Sequence, residues 1–533
     1  MNKFLIITIL FGLINFQMYA QAHIDVGSIE KHLFVNNQHP KSSDLNLGSD
    51  PESPLHSLNK ALEISKNTAT KITVFPGHYR EYLDIVSNQL LIIEASEPGS
   101  VYISGSDIFP SRKISDSLVF VLWPYNWGYF DDSDFCFGAC NMSLIQKRRE
   151  LLFINNQSYQ QVLFLDSLKE GCFLVDEVNN QISIYPKKGL TYEEMEIEVS
   201  VRGYDIYDQG RNGSLVRATT HNGMGLFLRG LIFEHASNIA HQGCLSISNT
   251  DNLHIEDCVF QWNNGVGLEL EDCSDVLIQN CTFRNNGERG MGIGNGENIL
   301  LKDLKVHGNN WRMNAASMIA HDAAGIKVFG STKNVILDNI HAYENYCNTI
   351  WFDWNNENYQ ILNSLIENNQ ESGIMLEGSR KQAYIHNCII RHNNVGIKGY
   401  GHANVTVDSC YIYGNNAQIS LGQDGRIVRQ DNNWEINSKD WRIHYTKLIA
   451  TDKNQSVLSF FEYNNPNIPS TYATEDFLET VEADYNTYFH PVDDKIFPDG
   501  KSVNGTPLSL FYWQSIAKQD KNSIFEKILP DKK

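Results

Sequence analysis

NLHIEDC (252–258), DVLIQNC (275–281), NILLKDL (298–304), NVILDNI (334–340), NYQILNS (358–364), QAYIHNC (382–388) and NVTVDSC (404–410) are seven variants of one phrase. Their last residues are spaced by 23, 23, 36, 24, 24 and 22 positions. Within each copy apolar and polar residues alternate, which is the period of a strand rather than of a helix. A turn with paired asparagines follows most copies, as at Asn263-Asn264, Asn285-Asn286, Asn368-Asn369, Asn393-Asn394 and Asn415-Asn416. Short strands recurring every 22 to 24 residues predict a solenoid. The fold class expected is all-β, a right-handed parallel β-helix. Equivalent residues of successive coils then lie ~4.8 Å apart, so aligning the copies identifies spatial neighbours.

Working outward, 1–22 reads as a signal peptide. It has Lys3, the apolar run LIITILFGLI and the small-x-small site Ala20-Gln21-Ala22. Export, to the periplasm or the medium, is expected. No later stretch approaches the ~20 apolar residues of a membrane span. Residues 23–104 are assigned to an N-terminal cap and first coils, because 53–85 offers an amphipathic helix, a strand and Pro76-Gly77. Such a cap shields the open edge of a solenoid. Between 105 and 202 the period is lost and Asn-Asn hairpin signals predict a small β insertion. The β-helix core is assigned to 203–425. Residues 426–533 are read as a C-terminal cap region, with Trp513 inside it.

The formal charge of −20 disfavours nucleic acid and anionic lipid as partners, since both select basic patches. A neutral carbohydrate fits better, and nine tryptophans include candidates for sugar stacking. Four of the ten cysteines, Cys258, Cys281, Cys388 and Cys410, share a repeat position with Leu304 and Ile340, so they are expected as inward-facing free thiols. Cys136 and Cys140 are the best placed for a disulfide. No second cysteine pair or histidine cluster supports zinc, and no cofactor is expected.

Several phrases carry a resemblance. RRELLFIN (148–155), GLIFEHAS (230–237), NNWR (309–312), HDAAGIK (321–327) and IWFDW (350–354) resemble secreted bacterial right-handed β-helix proteins. In part they are similar to the β-helix β-xylosidases of glycoside hydrolase family 120, over roughly residues 53–425. The resemblance implies a nucleophilic Asp in IWFDW and an acid/base Glu about one coil later, at Asp353 and Glu377. The chain departs from the family after Glu377, where Gly378-Ser-Arg-Lys381 replaces a His-Gly phrase, and this leaves the sugar open.

The repeat arithmetic brings the same two residues together. Asp353 lies 13 past Ile340 and Glu377 lies 13 past Ser364, one column on adjacent coils. Alternation puts Ile350, Phe352, Ile374 and Leu376 inward and Trp351, Asp353, Met375 and Glu377 outward. The same frame adds Glu269, Glu271, Lys327 and Tyr400 to the outer face. Trp351 and Trp354 are candidate stacking walls. His321 and Asp322 sit in the long coil beside the column, where Lys327 is expected to pair with Asp322 or Glu269. Carboxyls about 5–5.5 Å apart belong to retaining glycosidases, about 6.5–9.5 Å to inverting ones, so stacked carboxylates favour retention. The expected function is a retaining glycoside hydrolase acting on plant or algal polysaccharide or oligosaccharides. A polysaccharide lyase with Lys327 as base, with or without Ca²⁺, and a non-catalytic carbohydrate-binding solenoid are the alternatives.

Overall fold

A computed structural model of the protein describes residues 26–115, 118–127, 144–145, 147–203, 213–221, 223, 225–238, 241–312, 322–423, 427–428, 434–435, 438–462, 481–492, 494–497 and 508–530. The signal-peptide segment, Cys136, Cys140 and His321 lie outside them.

Each repeat phrase forms a strand, and all but the one that opens at Gln382 are bounded by left-handed residues at both ends. Asn252, Asp275, Asn298, Asn334, Asn358 and Asn404 have φ between 52° and 60°, and the residues before the inward position, Asp257, Asn280, Asp303, Asn339, Asn363, Asn387 and Ser409, have φ between 50° and 57°. Asn and Asp tolerate this conformation better than other side chains with a Cβ, which explains why the phrase opens and closes on them. The strand between makes one rung of a sheet, and the chain turns at both ends into the next sheet.

Three parallel sheets of 13, 13 and 11 strands result. In a typical coil Asp251–Glu256 belongs to the first sheet, Val259–Gln261 to the second and Val266–Glu271 to the third. Successive coils stack in strict register: Val276 pairs with Ile299, then Val335, Tyr359, Ala383 and Val405. The molecule is a right-handed parallel β-helix. Its interior is a continuous apolar column that includes Cys258, Cys281, Cys388 and Cys410 as buried free thiols. Each fully buried apolar side chain contributes about 1.5–3 kcal/mol.

One asparagine from each turn between the second and third sheets points inward. Asn263, Asn286, Asn309, Asn345, Asn369, Asn393 and Asn415 form a ladder in which each amide donates to the next carbonyl oxygen at 2.8–3.0 Å. These amides also donate to backbone, as Asn309 does to Phe283 O at 3.1 Å. The turn asparagines therefore satisfy buried polar groups that the coil would otherwise leave open.

The N-terminal helix Leu58–Ser65, capped by Ser57, lays Leu58, Ala61 and Leu62 on the first coil. Coils continue past residue 425, where the repeat had been expected to stop. Trp441–His444 and Val481–Asp484 extend the first sheet, and Lys447–Ile449, Thr487–Phe489 and Ile524–Phe525 the second. The spacing between first-sheet rungs lengthens there to about forty residues, which hides the period. A short helix, Leu510–Ala517, follows; Trp513 is fully buried, donating to Asp520 Oδ2 at 2.8 Å and stacking on Phe497.

The segment from 105 to 202 supplies an eight-stranded, mostly antiparallel sheet with its own core, including Val121, Phe173 and Ile184. It packs against the turns that lead into the third sheet. Phe153 stacks on His235 at 3.7 Å, and Arg80 meets Glu198 at 2.9 Å. Arg312 donates to the carbonyls of Ile145, Arg148 and Glu150 and to Gln161.

Candidate active site

The outer face of the third sheet holds the candidate residues. Asp353 pairs with Glu377 in register, Phe329 precedes them and Tyr400 follows in one column. The neighbouring column runs Ser246, Glu269, Gly292, Lys327, Trp351, Met375 and Lys398. Ile350, Phe352, Ile374 and Leu376 face the core between them.

A cavity of about 870 Å³ opens on this face, walled by Glu269, Glu271, Asp322, Lys327, Phe329 and Asp353 among others. Lys327 sits at its floor with 3% of its side chain exposed, bonded to Asp322 and 2.9 Å from Asp353 Oδ2. It pairs with Asp322 and Asp353 and not with Glu269, because the glycine coil at Gly292 separates Glu269 from it by two strand spacings. Burial raises the Asp322 pKa, yet the charges of Lys327 and Arg289 hold it well below the usual carboxylate range.

Glu269 takes its cation from elsewhere. Arg289, nearly buried, lies 3.4 Å from both Glu269 oxygens, 3.2 Å from Glu288 and 2.8 Å from the Asp322 carbonyl. His241 Nδ1 lies 2.7 Å from Glu288 and 2.6 Å from Arg289; protonated it donates to the former, neutral it accepts from the latter. Two glutamates therefore share one guanidinium. Burial opposes ionisation of Glu288, but His241 and Arg289 hold it down at about 2. Burial pushes Glu269 up to about 7, with Arg289 opposing and the Glu288 charge adding to the rise. Burial pushes the Glu271 carboxyl up as well, so the cavity sets raised carboxyls beside Asp322, which its cations hold down.

Glycine makes this arrangement possible. A methyl group added at Gly292 would strike the Glu269 carboxylate, and one at Gly294 would strike Glu271 and the Phe329 ring. Both glutamates therefore lie flat over the glycine coil, pointing along the helix axis toward Lys327 and Phe329.

Some expected residues fall elsewhere. Trp351 is 5% exposed and packs with Ala324, Met375 and Tyr400, under the Lys327 ammonium at 3.9 Å; its face is covered and offers no stacking wall. Trp354 lies against Gly378, where an added methyl would meet its ring at 2.8 Å. Neither tryptophan, nor Tyr400, nor Glu377 lines the cavity, and Glu377 stands one coil beyond its Asp353 end. Among the described residues no group of three or more His, Cys, Asp or Glu side chains is placed to hold a metal ion.

Four residues around the cavity, His241, Glu288, Arg289 and Arg217, were not singled out from the sequence. Arg289 lies eight positions past Cys281, where other copies place Val266, Arg312, Asn348 and Ser372; the position varies too much from coil to coil for the repeat to have marked it.

The fold defines the class: a right-handed parallel β-helix protein. A family model described as right handed beta helix region matches residues 243–412. Among solved structures, the complex of XylC with xylose aligns over 94% of this chain and 86% of its own, with a TM-score of 0.66 and 14% identity. The A-module of the Azotobacter vinelandii mannuronan C-5 epimerase AlgE4 aligns over 92% and 100%, with a TM-score of 0.48 and 10% identity. No curated protein matches the sequence. Among the described residues no helix is long and apolar enough to cross a membrane.

Proposed function

We propose that the protein is a carbohydrate-active enzyme, a retaining glycoside hydrolase in which Asp353 is the nucleophile and Glu377 the acid/base. One observation carries the reading: these carboxylates are register partners on adjacent outward-facing strands. Their backbones are then ~4.8 Å apart, compatible with the about 5–5.5 Å that a double displacement requires. XylC, whose fold this chain shares, is described in complex with xylose, and a neutral sugar of that kind suits the cavity at Asp353.

In this mechanism an Asp353 oxygen attacks the anomeric carbon while Glu377 delivers its proton to the departing glycosidic oxygen. The resulting glycosyl ester is opened by water, whose proton returns to Glu377. Lys327, 2.9 Å from Asp353, fixes the direction of the nucleophile and returns to full pairing when the ester is cleaved. Phe329, the register partner of Asp353 on the preceding coil, adds an apolar ring to the cavity wall beside it.

The cations beside the cavity are already engaged: Arg217 with Asp84, Arg289 with Glu269 and Glu288, Lys327 with Asp322 and Asp353, His241 with Glu288. A uronate would have to break one of these pairs, which favours hydrolysis of a neutral glycoside over β-elimination.

The test is a panel of aryl glycosides run beside uronate polysaccharides. Release of phenol, lost on Asp353→Ala, supports the reading. Glu377→Ala should retain the first step on activated aryl substrates and yield a glycosyl azide of retained configuration when azide is added. An unsaturated product absorbing in the ultraviolet would replace hydrolysis by lyase chemistry. Sugar binding without turnover would make the solenoid a binding module.

A further inference from the structure

The cavity does not centre on Asp353. Its walls come from Leu83–Ser87, Val216–Thr220, Gly243–Ser248, Val266–Glu271, Ala324–Phe329 and Asn348–Asp353, and the glycine coil Met291–Gly294, between the fourth and fifth of these, completes seven consecutive rungs. Six steps of ~4.8 Å make this ~29 Å along the helix axis, far longer than one sugar ring. Asp353 stands at the C-terminal end.

We propose that this groove is a chain-binding cleft, holding the uncleaved part of a linear neutral oligosaccharide along the axis from Asp353 toward the Asp84–Arg217 pair. The inference rests on the hydrolase reading for the position of the scissile bond, and on the groove alone for the rest.

Three features support it. First, the floor is continuous, because Gly292 and Gly294 let Glu269 and Glu271 lie flat along the axis instead of standing across it. Second, polar groups recur along the groove at strand spacings. Asp84 and Arg217 pair at 2.9 Å at the far end, Ser246 follows, then Glu269 with Arg289, then Lys327 with Asp353. Each ion pair presents donors and acceptors together, which suits hydroxyls and does not suit a ligand of net charge. Third, Asp84 pairs with Arg217, and Asp322 and Asp353 with Lys327, along the groove, so an acidic chain would have to compete with carboxylates already in place.

A cleft of this kind makes turnover depend on chain length, because binding energy from remote units contributes to the reaction. The experiment compares kcat/KM for aryl xylo- and cello-oligosaccharides of increasing length, in the wild type and in Asp84→Ala/Arg217→Ala. The double substitution removes both members of a half-exposed pair together. The wild type should gain on the order of tenfold from the shortest to the longer substrates, what one or two net hydrogen bonds are worth. The double variant should lose most of that gain on long chains. Equal kcat/KM at all lengths, or an unchanged long-to-short ratio in the double variant, overturns the cleft while leaving hydrolysis intact. A second arm is independent of turnover: calorimetry of Asp353→Asn with the same neutral oligosaccharides and with oligogalacturonates. Neutral chains binding more tightly with length support the cleft even if no substrate is hydrolysed. No binding of neutral chains, or tighter binding of oligogalacturonates, overturns it.

Discussion

Replacing Glu269 by Gln tests whether the shared guanidinium is described correctly. In the folded protein burial, with Glu288 close by, raises this carboxyl from 4.5 to about 7. Each unit corresponds to ~1.36 kcal/mol, so the penalty for ionising Glu269 in place is ~3 kcal/mol. With 12% of the side chain exposed, solvent screens little of it. The sign follows from proton counting. Between pH 4.5 and 7 the folded state keeps a proton that the unfolded state has lost, so this group's contribution is fully present below that window and is lost as pH rises through it. Glutamine copies the protonated form and does not titrate.

The Glu269→Gln protein should therefore match the wild type near pH 4.5 and exceed its stability by ~3 kcal/mol at pH 8. Urea unfolding at half-unit pH steps, followed by tryptophan fluorescence, reads this as a gap between midpoints that widens from about pH 4.5 to about 7. Arg289, His241, Glu288, Glu271 and Asp322 surround Glu269 and remain in both proteins, so their own titrations largely cancel in the difference. Parallel curves from pH 4.5 to 8 would refute the reasoning, since they would mean that Arg289 neutralises Glu269 fully and no proton is held in the cavity.

Asn309→Ala interrupts the amide ladder between Asn286 and Asn345; leaving buried partners unsatisfied should cost ~2–4 kcal/mol in denaturant unfolding, and an effect below ~0.5 kcal/mol would show the ladder to be incidental. Lys327→Met leaves Asp322 and Asp353 facing each other without their cation, with an expected loss of ~2–3 kcal/mol at pH 7, below the ~3–5 of a fully buried pair because both carboxylates are partly exposed. Since the Asp322 pKa is depressed in the folded protein, that penalty should shrink as pH falls below ~4, and a pH-independent penalty would point to lost packing against Trp351 instead. Gly292→Ala should displace the Glu269 carboxylate from the groove floor, visible as a lowered kcat/KM on long oligosaccharides; unchanged kinetics on all lengths would separate the glycine from the floor.

The coils were legible because a parallel β-helix repeats its constraints. The same phrase must supply a left-handed residue, an alternating strand, another left-handed residue and an inward apolar group, so Asn252 to Cys258 and Asn404 to Cys410 look alike although far apart in the chain. The pairing of Asp353 with Glu377 followed from that repetition by counting. The coils after residue 425 were not legible, since Trp441–His444 and Val481–Asp484 are separated by long connections that dilute the period. Trp351 shows a related limit: alternation states that it faces outward from the core, but not that Met375 and Tyr400 on the following coils cover it.

The cavity was illegible on different grounds. Its charge arrangement is made between column and turn: Glu269 comes from a strand, while Arg289, Glu288, His241 and Asp322 come from where the chain enters the third sheet. Aligning strands alone yields a column that reads as acidic, with Lys327 as its nearest cation; adding the turn residues supplies a guanidinium that two glutamates divide. Whether Glu269 holds a proton then depends on which glutamate lies closer to Arg289 and His241, a difference of a few tenths of an ångström between 3.2 and 3.4 Å and one further contact at 2.7 Å. Repetition of sequence specifies the scaffold to within a strand spacing, but the chemistry of the groove is set by distances an order of magnitude smaller, at positions where this chain breaks its own repeat.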